Sequence, residues 1–326
     1  MPTKLLPASV MPIRTWPVGW RWREAVELCV SPLPDDVRPE VADELLRDTK
    51  CGVVSLCPSR IVVEKRTLIG CVIAARHPDS SWHLQLPVVS DIVTDEKARD
   101  EIQRALLADL ACEFDGSDSW IAQILLSPEQ QSDSQLLTKG GFPVLTDLIF
   151  MSAPTVAGAE QHYDAGPSWK AVNWSESTRP RFETVISATY EGTLDCPELN
   201  GRRSGQQAVL GHESSGPFQS ALWKIYSHDG EDSGITLARC HADNWNDGQP
   251  EGIDTVFEIV YLGVTPHFRG RGLGRKMLAD LFADARRQGV SEIMLAVDVR
   301  NTPAIRLYEQ FGFREFDRRR VHARLG

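Results

Sequence analysis

The chain has 326 residues, of which 42% are hydrophobic and 25% are charged, and its formal net charge is −10. This composition is that of a globular protein and excludes a mainly disordered chain, while the length favours two domains. No apolar run approaches the roughly 18 to 20 residues of a membrane-spanning helix, and the N-terminal residues do not resemble a secretory signal. We therefore expect a cytoplasmic location.

The charge is unevenly distributed along the chain. Residues 264–326 contain 13 basic and 7 acidic residues, a net charge of +6, so the remaining residues carry a net charge of −16. An acidic protein is not expected to have nucleic acid as its main partner. A basic segment within it favours one localised anionic ligand.

The seven cysteines are scattered and form no Cys-x-x-Cys pair. The sequence therefore predicts neither a disulfide framework nor a zinc site, and we expect no metal. Free thiols in a reducing compartment are the expected state. No histidine stands at a spacing that would activate Cys196 or Cys240 as a nucleophile.

In the first half of the chain, β-branched runs alternate with amphipathic segments. The amphipathic segments predict helices around Trp22–Cys29, Pro39–Arg47, Lys97–Glu113 and Gln131–Leu137. The β-branched runs predict strands at Gly52–Leu56, Arg60–Val63, Leu68–Ala75, Trp82–Val88, Ile121–Leu126 and Val144–Phe150. The stretch Ser152–Ser168 has lost both periodicities and is the predicted linker.

The second half repeats this alternation and so predicts an α/β protein. It begins with a predicted helix around Arg179–Ala188 and a polar loop, Gly192–Gly205. Strands are predicted at Ala221–Tyr226, Gly234–Cys240, Val256–Val264, Ile293–Val299 and Phe316–Ala323. Two further helices are predicted, from Gly274 to about Gln288 and over Pro303–Phe311.

The two halves are related in sequence. When the chain is shifted by 171 residues, positions 93–142 align with positions 264–313 without gaps, and ten of these 50 pairs are identical. Roughly three identities are expected by chance at average composition. The alignment favours a duplicated module over a coincidental match of two amphipathic helices.

A glycine turn carries the strongest chemical signal. The segment Arg269-Gly270-Arg271-Gly272-Leu273-Gly274 lies between a predicted strand and a predicted helix. Main-chain N–H groups and the positive end of the helix dipole make such a turn an anion site, which the arginines reinforce. A dinucleotide-binding turn would need a third glycine where Arg275 stands, and there is no Gly-Lys-Ser/Thr of a P-loop.

From Glu258 to Phe313 the sequence resembles the acetyl-CoA-binding core of the GNAT superfamily of N-acetyltransferases. The family fingerprint Arg/Gln-x-x-Gly-x-Gly/Ala is matched by Arg269, Gly272 and Gly274. A later pattern, Asn-x-x-Ala-x-x-Leu-Tyr-x-x-x-Gly-Phe, is matched by Asn301, Ala304, Leu307, Tyr308, Gly312 and Phe313. The resemblance is clear over residues 220–326 and weaker over 35–155.

This resemblance implies an α/β (α+β) fold of two GNAT-like modules. Each would be a mixed, mostly antiparallel twisted sheet flanked by helices. Residues 1–155 would form a degenerate module with an irregular lead-in, and residues 165–326 the catalytic module that binds acetyl-CoA. At the positions that match the cofactor-binding residues, the first half has Ala98, Glu101, Gln103, Gln130 and Leu137.

The resemblance also implies roles for individual residues of the second half. The main chain of Leu262, Gly263 and Val264 would pair with the pantetheine arm, and Asn301 and Ala304 would contact the same arm. The pyrophosphate would bind the amides of Arg269, Gly270, Arg271, Gly272, Leu273, Gly274 and Arg275. Tyr308 would protonate the leaving thiolate. Two alternatives stay open: Asn301 as only a helix cap, and Tyr308 as only a core residue.

Acetyl transfer to nitrogen needs a base, because an amine at neutral pH is mostly protonated. Glu258 is the first candidate, since it occupies the place of the catalytic glutamate in the histone acetyltransferase branch. An acid on an apolar strand would have its pKa raised by burial. The alternative is an exposed position at the strand edge. Tyr261 and His267 are secondary candidates.

The sequence indicates the acceptor substrate less clearly than the cofactor. Residues 228–258 contain eight acids and a single Lys or Arg, which is Arg239, and such a rim would favour a cationic amine. A solvated acidic loop is the alternative, and Trp223 and Trp245 would either line the acceptor site or pack. The sequence thus predicts direct acetyl transfer to a primary amine in a ternary complex. A non-catalytic acetyl-CoA-binding regulator, a mycothiol-synthase-like tandem acetyltransferase and an interaction scaffold are alternatives, and the oligomeric state stays open.

Overall fold

The structure, a computed structural model, describes residues 14–158, 169–216, 218–241, 244–246, 249–251 and 255–326. The chain folds into two compact units. The first consists of the residues up to Leu145 together with Val321–Gly326, and the second consists of Thr146–Arg320. Most of the predicted linker lies outside the described residues, so the domain boundaries at 155 and 165 stay a prediction. Within the described ranges, no helix combines the length and apolar character needed to cross a bilayer.

The described residues of the first unit form four α-helices: α1 (Trp22–Val30), α2 (Arg38–Lys50), α3 (Glu96–Asp115) and α4 (Gln131–Lys139). Its strands are β1 (Trp16–Pro17), β2 (Arg60–Glu64), β3 (Thr67–Val72), β4 (Ala74–Arg76), β5 (Ser81–Leu84), β6 (Val88–Val89) and β7 (Ile121–Leu126). One sheet has the order β1-β2-β3-β6, while β5 pairs antiparallel with β4 and parallel with β7. Helix α3 buries its apolar stripe in the core, where the rings of Phe114 and Trp82 meet edge to face.

The second unit contains α5 (Arg179–Tyr190), α6 (Gly205–Ser214), α7 (Leu273–Arg287) and α8 (Thr302–Gln310). Its strands are β8 (Val144–Pro154), β9 (Trp169–Asn173), β10 (Trp223–His228), β11 (Glu231–His241), β12 (Asn244–Asn246), β13 (Gln249–Glu251), β14 (Val256–Val264), β15 (Glu292–Asp298) and β16 (Arg314–Leu325). The first two residues of β8 and the residues of β16 from Val321 onward belong to the first unit. In the main sheet, β8, β15, β14, β11, β10 and β9 are successive neighbours. The pair β14 and β15 is parallel, and the other pairs in this run are antiparallel. The predicted class, a mixed fold with mostly antiparallel sheets and flanking helices, is confirmed.

The structure corrects several predicted elements. The segment Gly52–Leu56 is a turn instead of a strand, because Gly52 has a φ of +72° and a single bridge links Ser55 to Arg76. Helix α6 was missed, although Ser204 and Gln207 form a complete capping box at its start. Strand β9 was also missed.

The two units share an internal order of elements, which supports duplication. In each, a helix connects two parallel strands, and a shorter helix follows the second strand: β5, α3, β7 and α4 in the first unit, β14, α7, β15 and α8 in the second. The starts of the connecting helices differ. Asp95 caps α3 by accepting a hydrogen bond from the N–H of Ala98, whereas glycine precedes α7.

Candidate active site

Two parallel strands of the second unit separate and open a cleft. The register of β14 with β15 ends at Ile259 and Leu295, whereas β14 stays paired with β11 as far as Val264. The register with β11 skips Val260, so β14 has a bulge where it leaves β15. Main-chain groups after Ile259 that face the β15 side therefore have no strand partner there.

The cleft opens into a cavity of about 520 Å³. Its wall consists mainly of the ends of β14 and β15, the glycine turn, the start of α7, one side of α8 and the loop that follows α5. Most of the predicted site residues lie in this wall: Leu262, Gly263, Val264, Arg269, Gly270, Gly272, Leu273, Gly274, Arg275, Asn301, Ala304 and Tyr308. Arg271 and Glu258 lie outside it. The guanidinium of Arg271 is 5.4 Å from the ring centroid of Phe268.

The glycines give the turn a backbone that other residues rarely adopt. Gly270 and Gly272 have φ values of +73° and +86°, and Gly272 is the N-cap of α7. A Cβ added at Gly274 would lie 3.1 Å from Cδ2 of Leu307, so the glycine lets α7 and α8 approach closely. The first amides of α7 have no acceptor within the helix and are available to an anion.

The side chain of Arg269 holds the cavity wall together. Its guanidinium donates to the carbonyl oxygens of Val264, Gly192 and Thr189 at 3.1, 3.0 and 2.9 Å. Its main-chain N–H donates to the carbonyl of Pro266. The side chain thus joins the end of β14 to the loop after α5, and the amides available to an anion begin at Gly270.

Helix α8 brings Asn301 and Tyr308 to the cavity. Oδ1 of Asn301 accepts a hydrogen bond from the N–H of Ala304 at 3.4 Å, so this residue does cap the helix. The cap leaves the Nδ2 amide for a ligand. Tyr308 is 7% exposed and packs against Phe313. Burial raises the pKa of Tyr308, and the charge of Asp195 raises it further, so the phenol stays protonated.

Glu258 is engaged in ion pairs. Its Oε2 lies 2.7 Å from Nε2 of His241 and 2.9 Å from Nε of Arg239. Burial alone would raise the pKa of Glu258, but these two partners outweigh it and hold the pKa below its ordinary value. The expected upward shift is therefore wrong, because the sequence showed the strand and not the partners on β11.

The remaining candidates differ in position. Tyr261 lies in the cavity wall, and its hydroxyl is 2.8 Å from Oγ1 of Thr189. His267 is exposed and outside the wall. Trp223 is a core residue whose ring meets that of Trp174 edge to face. Of the predicted acidic rim, Asp243, Asp247, Asp254 and the side chain of Glu251 lie outside the described residues, as does the side chain of Trp245.

The structure adds a carboxylate that sequence reasoning did not single out. Asp195, in the loop after α5, lies in the cavity wall, and its Oδ1 accepts a hydrogen bond from the N–H of Asp298 at 2.9 Å. Asp298 is fully buried and in turn accepts from the N–H of Cys196 at 3.0 Å and from the guanidinium of Arg300. The signal available in the sequence was Asp298, an acid that directly follows the apolar run from Ile293 to Val297. Among the described residues, no group of three potential ligands could hold a metal ion.

Comparisons with known proteins define the class of this site. Residues 226–313 match the sequence profile of the Acetyltransferase (GNAT) family. The solved GCN5-related N-acetyltransferase from Sphaerobacter thermophilus has a TM-score of 0.57 at 16% identity, over 98% of this chain and 97% of its own. A tandem GNAT protein from the clavulanic acid biosynthesis pathway has a TM-score of 0.50 at 15% identity, over 96% and 98%. Residues 226–313 therefore match the GNAT family, the chain has the fold of GCN5-related N-acetyltransferases, and the predicted resemblance is confirmed.

Several proteins that are similar to this chain in sequence are mycothiol acetyltransferases. The protein from Thermobispora bispora is 46% identical over 66 residues, which cover 20% of this chain and 22% of the relative. The protein from Geodermatophilus obscurus is 37% identical over 140 residues, which cover 40% and 45%. The chain thus matches less than half of the length of these relatives.

Proposed function

We propose that the second unit binds acetyl-CoA in the cavity of about 520 Å³ and transfers its acetyl group directly to a primary amine. The observation that carries this proposal is the convergence of three features on one cavity. These are the open edge of β14, the glycine turn at the start of α7 and the phenol of Tyr308.

The cavity wall offers groups for each part of the co-substrate. Main-chain groups of Leu262, Gly263 and Val264 that face away from β11 would hydrogen-bond the pantetheine arm as an added strand does, except for the carbonyl of Val264, which accepts from Arg269. Amides from Gly270 to Arg275 would hold the pyrophosphate, with the helix dipole adding its positive end. The Nδ2 amide of Asn301 would bond the pantetheine arm. Arg271 and Arg275 add positive charge near the phosphates.

The chemistry follows from holding the amine and the thioester together. The amine nitrogen attacks the carbonyl carbon, a main-chain amide of β14 stabilises the oxyanion, and the C–S bond breaks. Tyr308 gives its proton to the leaving thiolate. Direct transfer is favoured because burial and the charges of Asp195 and Asp298 raise the pKa of the Cys196 thiol, which leaves it a poor nucleophile.

The first unit is proposed to lack a comparable cofactor site. The positions that match the glycine turn, Ala98, Glu101 and Gln103, all lie within α3. Where the second unit has an open turn, the first unit thus has helix, and Glu101 would repel a pyrophosphate.

For the acceptor, the names of the relatives favour an amine of the kind that mycothiol acetyltransferases modify. A cationic amine, which the acidic residues of 228–258 would attract, stays part of the proposal. Among the described acids of that segment, Asp232 pairs with Arg181 and Glu258 with Arg239, so these charges are partly neutralised.

The test combines binding and turnover. Calorimetry should show acetyl-CoA binding, and a thiol assay should show CoA release with at least one amine of a panel containing spermidine, glucosamine, cysteine and a peptide amine. Tyr308→Phe should lower kcat by about 100-fold with acetyl-CoA affinity unchanged. Tyr226→Phe, at a buried tyrosine outside the cavity wall, is the matched control. Binding without CoA release would favour the non-catalytic regulator, and absence of binding would refute the proposal.

A further inference from the structure

We propose that Asp195 is the catalytic base, which takes the proton of the attacking amine through its free carboxylate oxygen. This inference rests on the proposed acetyl transfer and deepens it by naming the group that the sequence assigned to Glu258. The argument starts from position: Asp195 lies in the wall of the same cavity as Tyr308 and Asn301. Glu258 does not.

The carboxylate of Asp195 is held in place by one oxygen only. Its Oδ1 accepts the N–H of Asp298 at 2.9 Å, and the N–H of Asp195 itself donates to Oγ1 of Thr193 at 3.0 Å. Among the residues that the structure describes, none hydrogen-bonds Oδ2. An oriented carboxylate with one oxygen unused at a cavity wall has the geometry that a general base requires.

A second layer of bonds fixes the loop that carries Asp195. The N–H of Cys196 donates to Oδ2 of Asp298, so the loop and the end of β15 are joined in both directions. Arg300 bonds Asp298 on one side and Glu198, in the same loop, on the other. The loop is therefore anchored on both sides of Asp195.

The electrostatics suit proton transfer. Burial and the nearby charge of Asp298 raise the pKa of Asp195, whereas the pKa of Asp298 is held low by its donors despite burial. Asp195 is thus the more basic of the two carboxylates, and burial together with the charge of Asp195 keeps the pKa of Tyr308 raised and its phenol protonated. A base and an acid with separated pKa values then face one cavity. The titratable and charged groups around Asp195 are Tyr190, Cys196, Tyr261, Asp298, Arg300 and Tyr308.

The proton balance of the step is complete. As the amine nitrogen bonds to the carbonyl carbon, its proton passes to Oδ2 of Asp195. The C–S bond breaks, and the thiolate takes the phenolic proton of Tyr308. Water then removes the proton from Asp195 and restores that of Tyr308, so no further reactant is needed.

The test uses the full chain and measures CoA release against pH with acetyl-CoA and the panel amine that the wild type acetylates fastest. Asp195→Asn is the sharp variant, because an asparagine oxygen can still accept the N–H of Asp298. We expect kcat to fall by about 100-fold, the acidic limb of its pH profile to disappear, and the KM for acetyl-CoA to stay within about twofold. Asp195→Glu should restore part of kcat. Glu191→Gln, at an exposed acid of the same loop, is the control and should leave the profile unchanged.

Two results would overturn the inference. An Asp195→Asn enzyme with wild-type kcat and pH profile would show that the base lies elsewhere. A raised KM for the amine with unchanged kcat would make Asp195 a binding group for the ammonium ion. The thiol assay on the wild type separates both from failure of the proposed function, in which the wild type itself releases no CoA with any amine.

Discussion

Replacement of Arg300 should destabilise the second unit, because it leaves a buried carboxylate without its cation. The side chain of Asp298 is fully buried, and Nη2 of Arg300 lies 2.7 Å from its Oδ2. Breaking a buried ion pair on one side costs about 3–5 kcal/mol. Here the main-chain N–H groups of Cys196 and Arg300 remain, and Arg300 is 38% exposed, so we expect about 2–3 kcal/mol for Arg300→Met.

The pH dependence of this loss has a definite sign. The pKa of Asp298 is lower in the folded protein than in the unfolded chain, so the ionised carboxylate contributes stability above its unfolded pKa. This contribution is lost as the pH falls through the folded pKa. The deficit of Arg300→Met should therefore be full at neutral pH and should shrink in acid, where Asp298 becomes protonated in both proteins.

The assay is urea unfolding followed by hydrogen exchange of β15 peptides, which reports on the second unit alone. Arg318→Met is the matched control, since Arg318 pairs with Glu315 at the surface with both side chains at least 40% exposed. It should cost less than about 1 kcal/mol. Asp298→Asn added to Arg300→Met should recover part of the loss. Equal losses for the two arginine variants would refute the reasoning.

Three further outcomes are expected. Gly272→Ala should weaken acetyl-CoA binding in calorimetry and lower the free energy of unfolding by about 1–2 kcal/mol, because Gly272 has a positive φ. Gly289→Ala, at a positive φ beyond the other end of α7, should lower stability alone, and equal losses of binding in the two variants would contradict this. Gly205→Ala should lower the melting temperature, because the added Cβ would lie 1.9 Å from the carbonyl oxygen of Glu183. An unchanged melting temperature would show that α5 and α6 are loosely packed. Arg269→Lys should lower acetyl-CoA affinity, because an ammonium group cannot reach three carbonyls at once, and wild-type affinity would exclude this shaping role.

The features that were predicted wrongly or missed from the sequence have physical causes. Glu258 was expected to be a raised-pKa base because the strand around it is apolar, but its pKa depends on Arg239 and His241, which the antiparallel pairing with β11 brings to it. Helix α6 was missed because its core residues are few and small, although its capping box was readable. Asp195 gave no local signal, since its neighbours in space are far away in the chain.

The sequence by itself predicted the GNAT resemblance and the class of fold, and it picked out residues that the structure brings together in one cavity wall. It could do so because the glycine turn and the pattern from Asn301 to Phe313 are local: positive φ values, helix caps and short spacings are set by adjacent residues. Only the tertiary structure decided which acids face the cavity. A carboxylate's role depends on the charges and donors around it, and these come from β11, β15 and the loop after α5, which meet only when the sheet is formed.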